Sequence, residues 1–171
     1  MGASRSKFSV VLVGLDNAGK TTVYNSFGRS EGMGGVDATK SYNYKVVNQV
    51  YSKTRFQFHL FDLAGTLFRR PLWPHYFQAM RPHVVVFVVD VNDESRIDEA
   101  RAEFNAILHD PNLCDSLLLV LGNQKGDSKM QGSELREQLG VPRENELLMV
   151  DAMASQNILS CVWHICQALS R

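Results

Sequence analysis

Short apolar runs alternate along the chain with segments whose apolar residues recur at helical spacing. Residues 8–13 read as a buried strand, and residues 22–27 continue as a helix after a glycine-rich turn. Tyr42–Tyr51 and residues 55–62 read as a hairpin, whose second arm sends Phe56, Phe58 and Leu60 inward before ending on an acid. Residues 83–90 and 117–122 are near-continuous apolar runs, as central strands are when helices cover both faces. Between them Ile97, Ala100, Phe104, Ile107 and Leu108 share one helical face, with Asp93 and Glu94 at its start and Pro111 just past its end. Residues 147–151 form a last strand, followed by a helix with Ile158, Leu159, Val162, Ile165 and Leu169 inward. The order predicts an α/β fold in three layers, a mostly parallel six-stranded sheet with one antiparallel edge strand. Ligands of such sheets sit outside the carboxyl ends of the strands.

The chain of 171 residues, without repeats or linkers, reads as a single domain over 1–171. Its 18 basic and 18 acidic residues balance, which argues against a broad nucleic-acid-binding surface. Cys114, Cys161 and Cys166 are odd in number and lack metal-ligand spacing, so they read as ordinary buried thiols of a reducing compartment. His59, His75, His83, His109 and His164 show no ligand spacing either, and Trp73 and Trp163 read as packing residues. The most apolar stretch, residues 84–89, is too short to span a bilayer, and the start lacks a hydrophobic signal region. The expectation is a soluble, cytoplasmic protein. The start Met1-Gly2-Ala3-Ser4-Arg5-Ser6 fits the N-myristoylation pattern at Gly2, which would add peripheral attachment to an intracellular membrane; a start sequence without that role is the alternative.

Chemistry enters at residues 14–21, Gly-Leu-Asp-Asn-Ala-Gly-Lys-Thr, a complete P-loop between strand and helix. Gly14 and Gly19 let the backbone of Asp16, Asn17 and Ala18 wrap until its N–H groups face phosphate oxygens, ahead of the positive end of the helix that Thr22 continues. Lys20 is placed to reach β- and γ-phosphates, and Thr21 to offer its hydroxyl to Mg²⁺. Residues 27–41 hold four glycines among polar residues without an apolar period, and read as a mobile loop beside the phosphates.

Residues 14–22, GLDNAGKTT, with Arg70-Pro-Leu-Trp73 and His75-Tyr76-Phe77, resemble the ADP-ribosylation-factor-like (Arf/Arl) family of small GTP-binding proteins over nearly the whole chain. The resemblance implies the P-loop NTPase fold, GTP or GDP with Mg²⁺ as cofactors, and a switch cycle. It places Thr39 as the first-switch threonine on Mg²⁺, although Ala38, Lys40 and Ser41 depart from the family pattern. Asp62 would hold Mg²⁺ through water, and Gly65 would meet the γ-phosphate. An alternative for Asp62 is a strand-ending acid that caps a turn.

Two departures bear on turnover and on base choice. The family's water-orienting glutamine is Thr66 here, whose shorter hydroxyl lacks the same reach, so slow intrinsic hydrolysis is implied. Arg70 matches a structural family position and Arg69 replaces an apolar residue, so neither reads as a catalytic finger. The family's Asn-Lys-x-Asp appears as Asn123-Gln124-Lys125-Gly126-Asp127. In direct register Asn123 is kept while Gln124 and Gly126 replace the lysine and the guanine-reading aspartate. With one inserted residue, Lys125 and Asp127 restore both groups, and the sequence leaves the two registers open. Ala152 would serve the last base loop through its backbone.

Tyr42, Phe61 and Tyr76 fall where the family carries an exposed aromatic triad for effectors, with simple core packing the alternative, above all for Phe61. The hairpin is longer than usual for the family. The sequence thus supports an Arf-like switch that recruits effectors in its GTP state, with an exchange factor and an activating protein as further partners. A pseudo-GTPase scaffold that does not cycle is the second reading.

Overall fold

The computed structural model describes residues 6–28 and 42–171. In chain order it forms β1 (Ser6–Val13), α1 (Lys20–Ser26), β2 (Tyr42–Tyr51), β3 (Thr54–Leu63), α2 (Trp73–Met80), β4 (Val84–Asp90), α3 (Ile97–Leu108), β5 (Leu117–Asn123), α4 (Gly132–Leu139), β6 (Glu146–Val150) and α5 (Ser155–Leu169). The six strands lie in the order β2-β3-β1-β4-β5-β6. Strand β2 runs antiparallel to β3, and all other neighbours are parallel. This is the predicted architecture, a mostly parallel sheet with one antiparallel edge strand.

Alternation along β4 shows how the layers arise. Val84, Val86 and Val88 join a core with Val23 and Phe27 beside α1 and with Ile158, Val162 and Ile165 of α5. Val85, Phe87 and Val89 face the other way, into a core with Trp73 and Phe77 of α2, Phe104 and Ile107 of α3, and Leu135 of α4. A strand covered on both faces has no polar side to show water, hence its unbroken apolar run. Its carboxyl end meets those of β1 and β5 at one edge, where Asp90 pairs with Asn123 and Val13 with Phe87.

Several expectations change. Cys161 and Cys166 are buried, and burial pushes both thiols up to about 12, but Cys114 is exposed. It follows the short helical turn Pro111–Leu113, outside any element that buries side chains. Leu159 is exposed rather than inward because it lies ~100° round from Ile158, and the stripe centred on Ile158 and Ile165 takes in Cys161 and Cys166 instead. Trp163 sits at 45% exposure on that same outer side. Phe27 belongs to the core, edge-on to Phe58 at 5.9 Å, and not to the loop that follows. Asp151 leaves the last strand because its side chain accepts from Met153 N at 2.9 Å, which starts a turn. Residues 29–41, with the expected loop and Thr39, lie outside the described residues, as does Gly2. Among the described residues no helix is long and apolar enough to cross a membrane.

Candidate functional site

The P-loop bridges the carboxyl end of β1 and the start of α1, and its two glycines are forced by close approach. A Cβ on Gly14 would lie 2.2 Å from Val88 O, and one on Gly19 would lie 2.2 Å from Asn123 Nδ2. Both have positive φ, 147° and 99°, and Gly19 caps α1 in the left-handed region. Lys20 is 7% exposed and donates to Leu15 O at 2.7 Å. Burial lowers its ammonium to about 8, against the pull of Asp62 and Asp16. Thr21 Oγ1 donates to Asp62 Oδ2 at 2.8 Å, and Asn43 Nδ2 reaches the same oxygen at 3.3 Å. Burial also raises the Asp62 carboxyl, against Thr21, Lys20 and Asn43.

This donor set fits the nucleotide and its Mg²⁺. Burial disfavours both the Asp62 anion and the Lys20 cation, so a divalent cation at the first and phosphates at the second would restore what each lost on leaving water. A hydroxyl and one carboxylate are what Mg²⁺ takes when phosphates and waters supply the rest. Among the described residues no group of three or more His, Cys, Asp or Glu converges. A cavity of about 340 Å³, within the range of small-ligand pockets, is lined by Asn17, Gly19, Lys20, Thr21, Thr22 and Lys125.

The segment after β3 folds onto the P-loop. Gly65 O accepts from Asp16 N at 3.1 Å and from Arg70 Nε at 2.7 Å. A Cβ on Gly65 would meet Gly14 O at 2.2 Å and Lys20 Nζ at 2.5 Å, so only glycine fits this close to the P-loop backbone. Thr66 is exposed, its carbonyl starting the turn by accepting from Arg69 N at 2.9 Å and Arg70 N at 3.2 Å. Arg70, at 3% side-chain exposure, also reaches Asp16 at 3.2 Å, Glu99 at 2.5 Å and Glu103 at 3.4 Å. Arg96 donates to the same Asp16 carboxylate oxygen at 3.0 Å and to the Asp16 backbone carbonyl at 2.8 Å. Burial works against the Asp16 anion, but Arg96 and then Arg70 outweigh it and hold the carboxyl below the ordinary range. The Asp16 carboxylate and carbonyl are thus engaged by arginines and its N–H by Gly65 O, so the Asp16 N–H is not turned into the loop as the sequence suggests.

At the end of β5, Asn123 Nδ2 donates to Ala18 O at 3.0 Å and Asn123 Oδ1 accepts from Ala152 N at 3.1 Å, tying the P-loop, β5 and the turn after β6 together. Gln124 N donates to Val150 O at 2.7 Å, and the Gln124 side chain donates to Ser128 O. Lys125 Nζ lies 3.3 Å from Asn17 O and 2.9 Å from Asp90 Oδ2. Gly126 follows at φ 66°, and Asp127 is exposed beyond it. Tyr42, Phe61 and Tyr76 do meet, with Tyr42 5.7 Å from Phe61 and 5.5 Å from Tyr76 between ring centres. All three are half-buried rather than fully exposed. Sequence reasoning missed Asn43, Asp90, Asn92 and Arg96. The signal that could have found the middle pair is polar residues at the carboxyl end of a central strand, beside the end of its neighbour.

A model of the ADP-ribosylation factor family matches residues 1–169. Among solved structures, the fold is similar to that of the Arl6 BBS3 small GTPase from Trypanosoma brucei with bound nucleotide analogue GppNp, at 24% identity and a TM-score of 0.73, over 95% of this chain and 99% of that one. The P-loop, the acid that meets its threonine and the glycine folded onto it thus lie within a match that spans almost the whole sequence, and the chain belongs to the ADP-ribosylation factor family.

Proposed function

We propose that this protein is a guanine-nucleotide-binding switch that recruits effectors in its GTP state and hydrolyses GTP slowly unaided. The observation that carries the reading is that Lys20 and Thr21 line the P-loop cavity while buried Asp62, on the Thr21 hydroxyl, and Gly65, against Lys20, close in beside them. Thr21, Asp62 through water, and Thr39 would hold Mg²⁺, which when bound neutralises charge on the β- and γ-phosphoryl oxygens. Lys20 and the backbone N–H groups of the loop bind and orient the phosphates. The shifted register of the base loop is favoured by Lys125 Nζ on Asn17 O, a P-loop contact made by the second residue after Asn123. Gln124 is then the inserted residue, its side chain turned to Ser128. Asp127 reads the guanine edge in this register. Thr66 cannot orient water as a longer amide would, so turnover is slow. Tyr42, Phe61 and Tyr76 supply the effector face, and acylation at Gly2 supplies the membrane contact.

Denaturing the purified protein and identifying the released nucleotide by chromatography, with exchange measured in parallel, tests occupancy, base and cycling together. Guanine nucleotide that exchanges in the presence of Mg²⁺ is the expected result; no nucleotide binding at micromolar protein would end the reading. Thr66→Gln should raise single-turnover GTP hydrolysis by at least about tenfold.

A further inference from the structure

We propose that Asp90 and Asn92, at the carboxyl end of β4, are positioning residues that hold Lys125 and, through it, the guanine-reading loop. This rests on the shifted register given above. Asn92 Nδ2 donates to Lys125 O at 2.9 Å, and Lys125 N donates to Asn92 Oδ1 at 3.3 Å. One side-chain amide therefore satisfies both backbone groups of Lys125, as a paired strand would. Only an amide carries a donor and an acceptor side by side for that task; a carboxylate has no donor and a hydroxyl is too short to span both.

Asp90 completes the arrangement. Its Oδ1 accepts from Asn92 N at 2.9 Å and its Oδ2 takes Lys125 Nζ at 2.9 Å. The segment is fixed in turn by Val91 N on Asn123 O at 3.1 Å and by the β4–β5 register that sets Asp90 opposite Asn123. Lys125 is thus held at its backbone N, its backbone O and its amine, with the amine also on Asn17 O. Lys125 is also one of the residues that line the P-loop cavity. A loop carrying one extra residue has more conformations to lose on binding, and fixing Lys125 beforehand removes much of that cost. Gly126 then turns the chain at positive φ, so the position of Asp127 is set by where Lys125 is held.

The test uses the full chain with Mg²⁺, comparing GDP and ADP affinities and GDP release for the wild type, Asn92→Ala, Asp90→Ala and Lys125→Ala. Loss of the two backbone bonds should weaken GDP binding and speed its release by roughly tenfold or more, leave ADP binding unchanged, and so shrink the GDP:ADP preference. Adding Lys125→Ala to Asn92→Ala should cost less than Lys125→Ala alone. Thermal unfolding of nucleotide-free protein checks folding, and Asn92→Asp, which keeps size but exchanges the donor for a charged acceptor that cannot take the bond to Lys125 O, replaces Asn92→Ala if that variant does not fold. A wild type without GDP preference overturns the base-loop reading and this inference with it. A selective wild type whose preference falls in Lys125→Ala but survives in both Asp90 and Asn92 variants overturns this inference alone.

Discussion

Two glycines of the site look alike in the sequence and differ in why they are needed. At Gly65 the obstacle is space: an added Cβ would lie 2.2 Å from Gly14 O and 2.7 Å from Leu15 C, both backbone that cannot swing aside. Gly65→Ala should therefore push the turn off the P-loop, break the Asp16 N to Gly65 O bond and lower stability by about 1–3 kcal/mol in urea denaturation. At Gly126 an added Cβ would meet nothing within 4 Å, and the demand is conformational alone, φ 66°. Gly126→Ala should cost only about 1 kcal/mol. The reverse order of the two effects would show that packing at Gly65 is looser than its distances imply. The family resemblance singled out Gly65, through its place three residues after Asp62. Gly126 stands out in the sequence only through the family's base motif, where a kink at it allows the shifted register, because a left-handed turn in open space leaves no periodic trace.

Strand β2 shows where reading an element in isolation misleads. Apolar residues stand on both of its faces, Tyr42, Tyr44, Val46 and Val50 with Asn48 on one, Val47 and Tyr51 with Asn43, Lys45 and Gln49 on the other. The structure sets Lys45 and Val47 inward, buried, and leaves Val50 exposed. The reason is pairing: Lys45 opposes Leu60, Val47 opposes Phe58 and Asn43 opposes Asp62, so the core face of β3 decides which face of its partner is covered. Lys45 is accommodated with its ammonium 4.7 Å over the Tyr24 ring, and burial lowers its pKa. The same register delivers Asn43 to the Asp62 carboxylate. Phe58 anchors the arrangement, stacked with Phe56 and edge-on to Phe27, each at 5.9 Å. Phe58→Ala should destabilise the fold by about 3–5 kcal/mol through the cavity it leaves, read from the midpoint of urea unfolding.

Across the whole molecule, Arg70 joins three parts that the chain keeps apart: the turn at Gly65, the P-loop at Asp16 and helix α3 at Glu99 and Glu103. Its acid partners are 37%, 39% and 26% exposed, so water can take them back when the arginine is removed. Arg70→Ala should accordingly cost about 1–3 kcal/mol in urea unfolding, short of a fully buried pair. Arg70→Lys should recover less than half, since an ammonium cannot serve those directions at once. By itself the sequence determined the strand and helix order and the P-loop, because each is written in spacing within one element or turn, and the family resemblance carried by its motifs pointed to the acid and glycine beside that loop. Tertiary structure alone decided which face of β2 is buried, that Cys114 and Trp163 are exposed, and that Lys125 reaches the P-loop. It alone also brought Arg96 to Asp16, 80 residues away, and Asn92 to Lys125, 33 away. Those contacts depend on which strand ends become neighbours in the sheet, and separation along the chain carries no record of that.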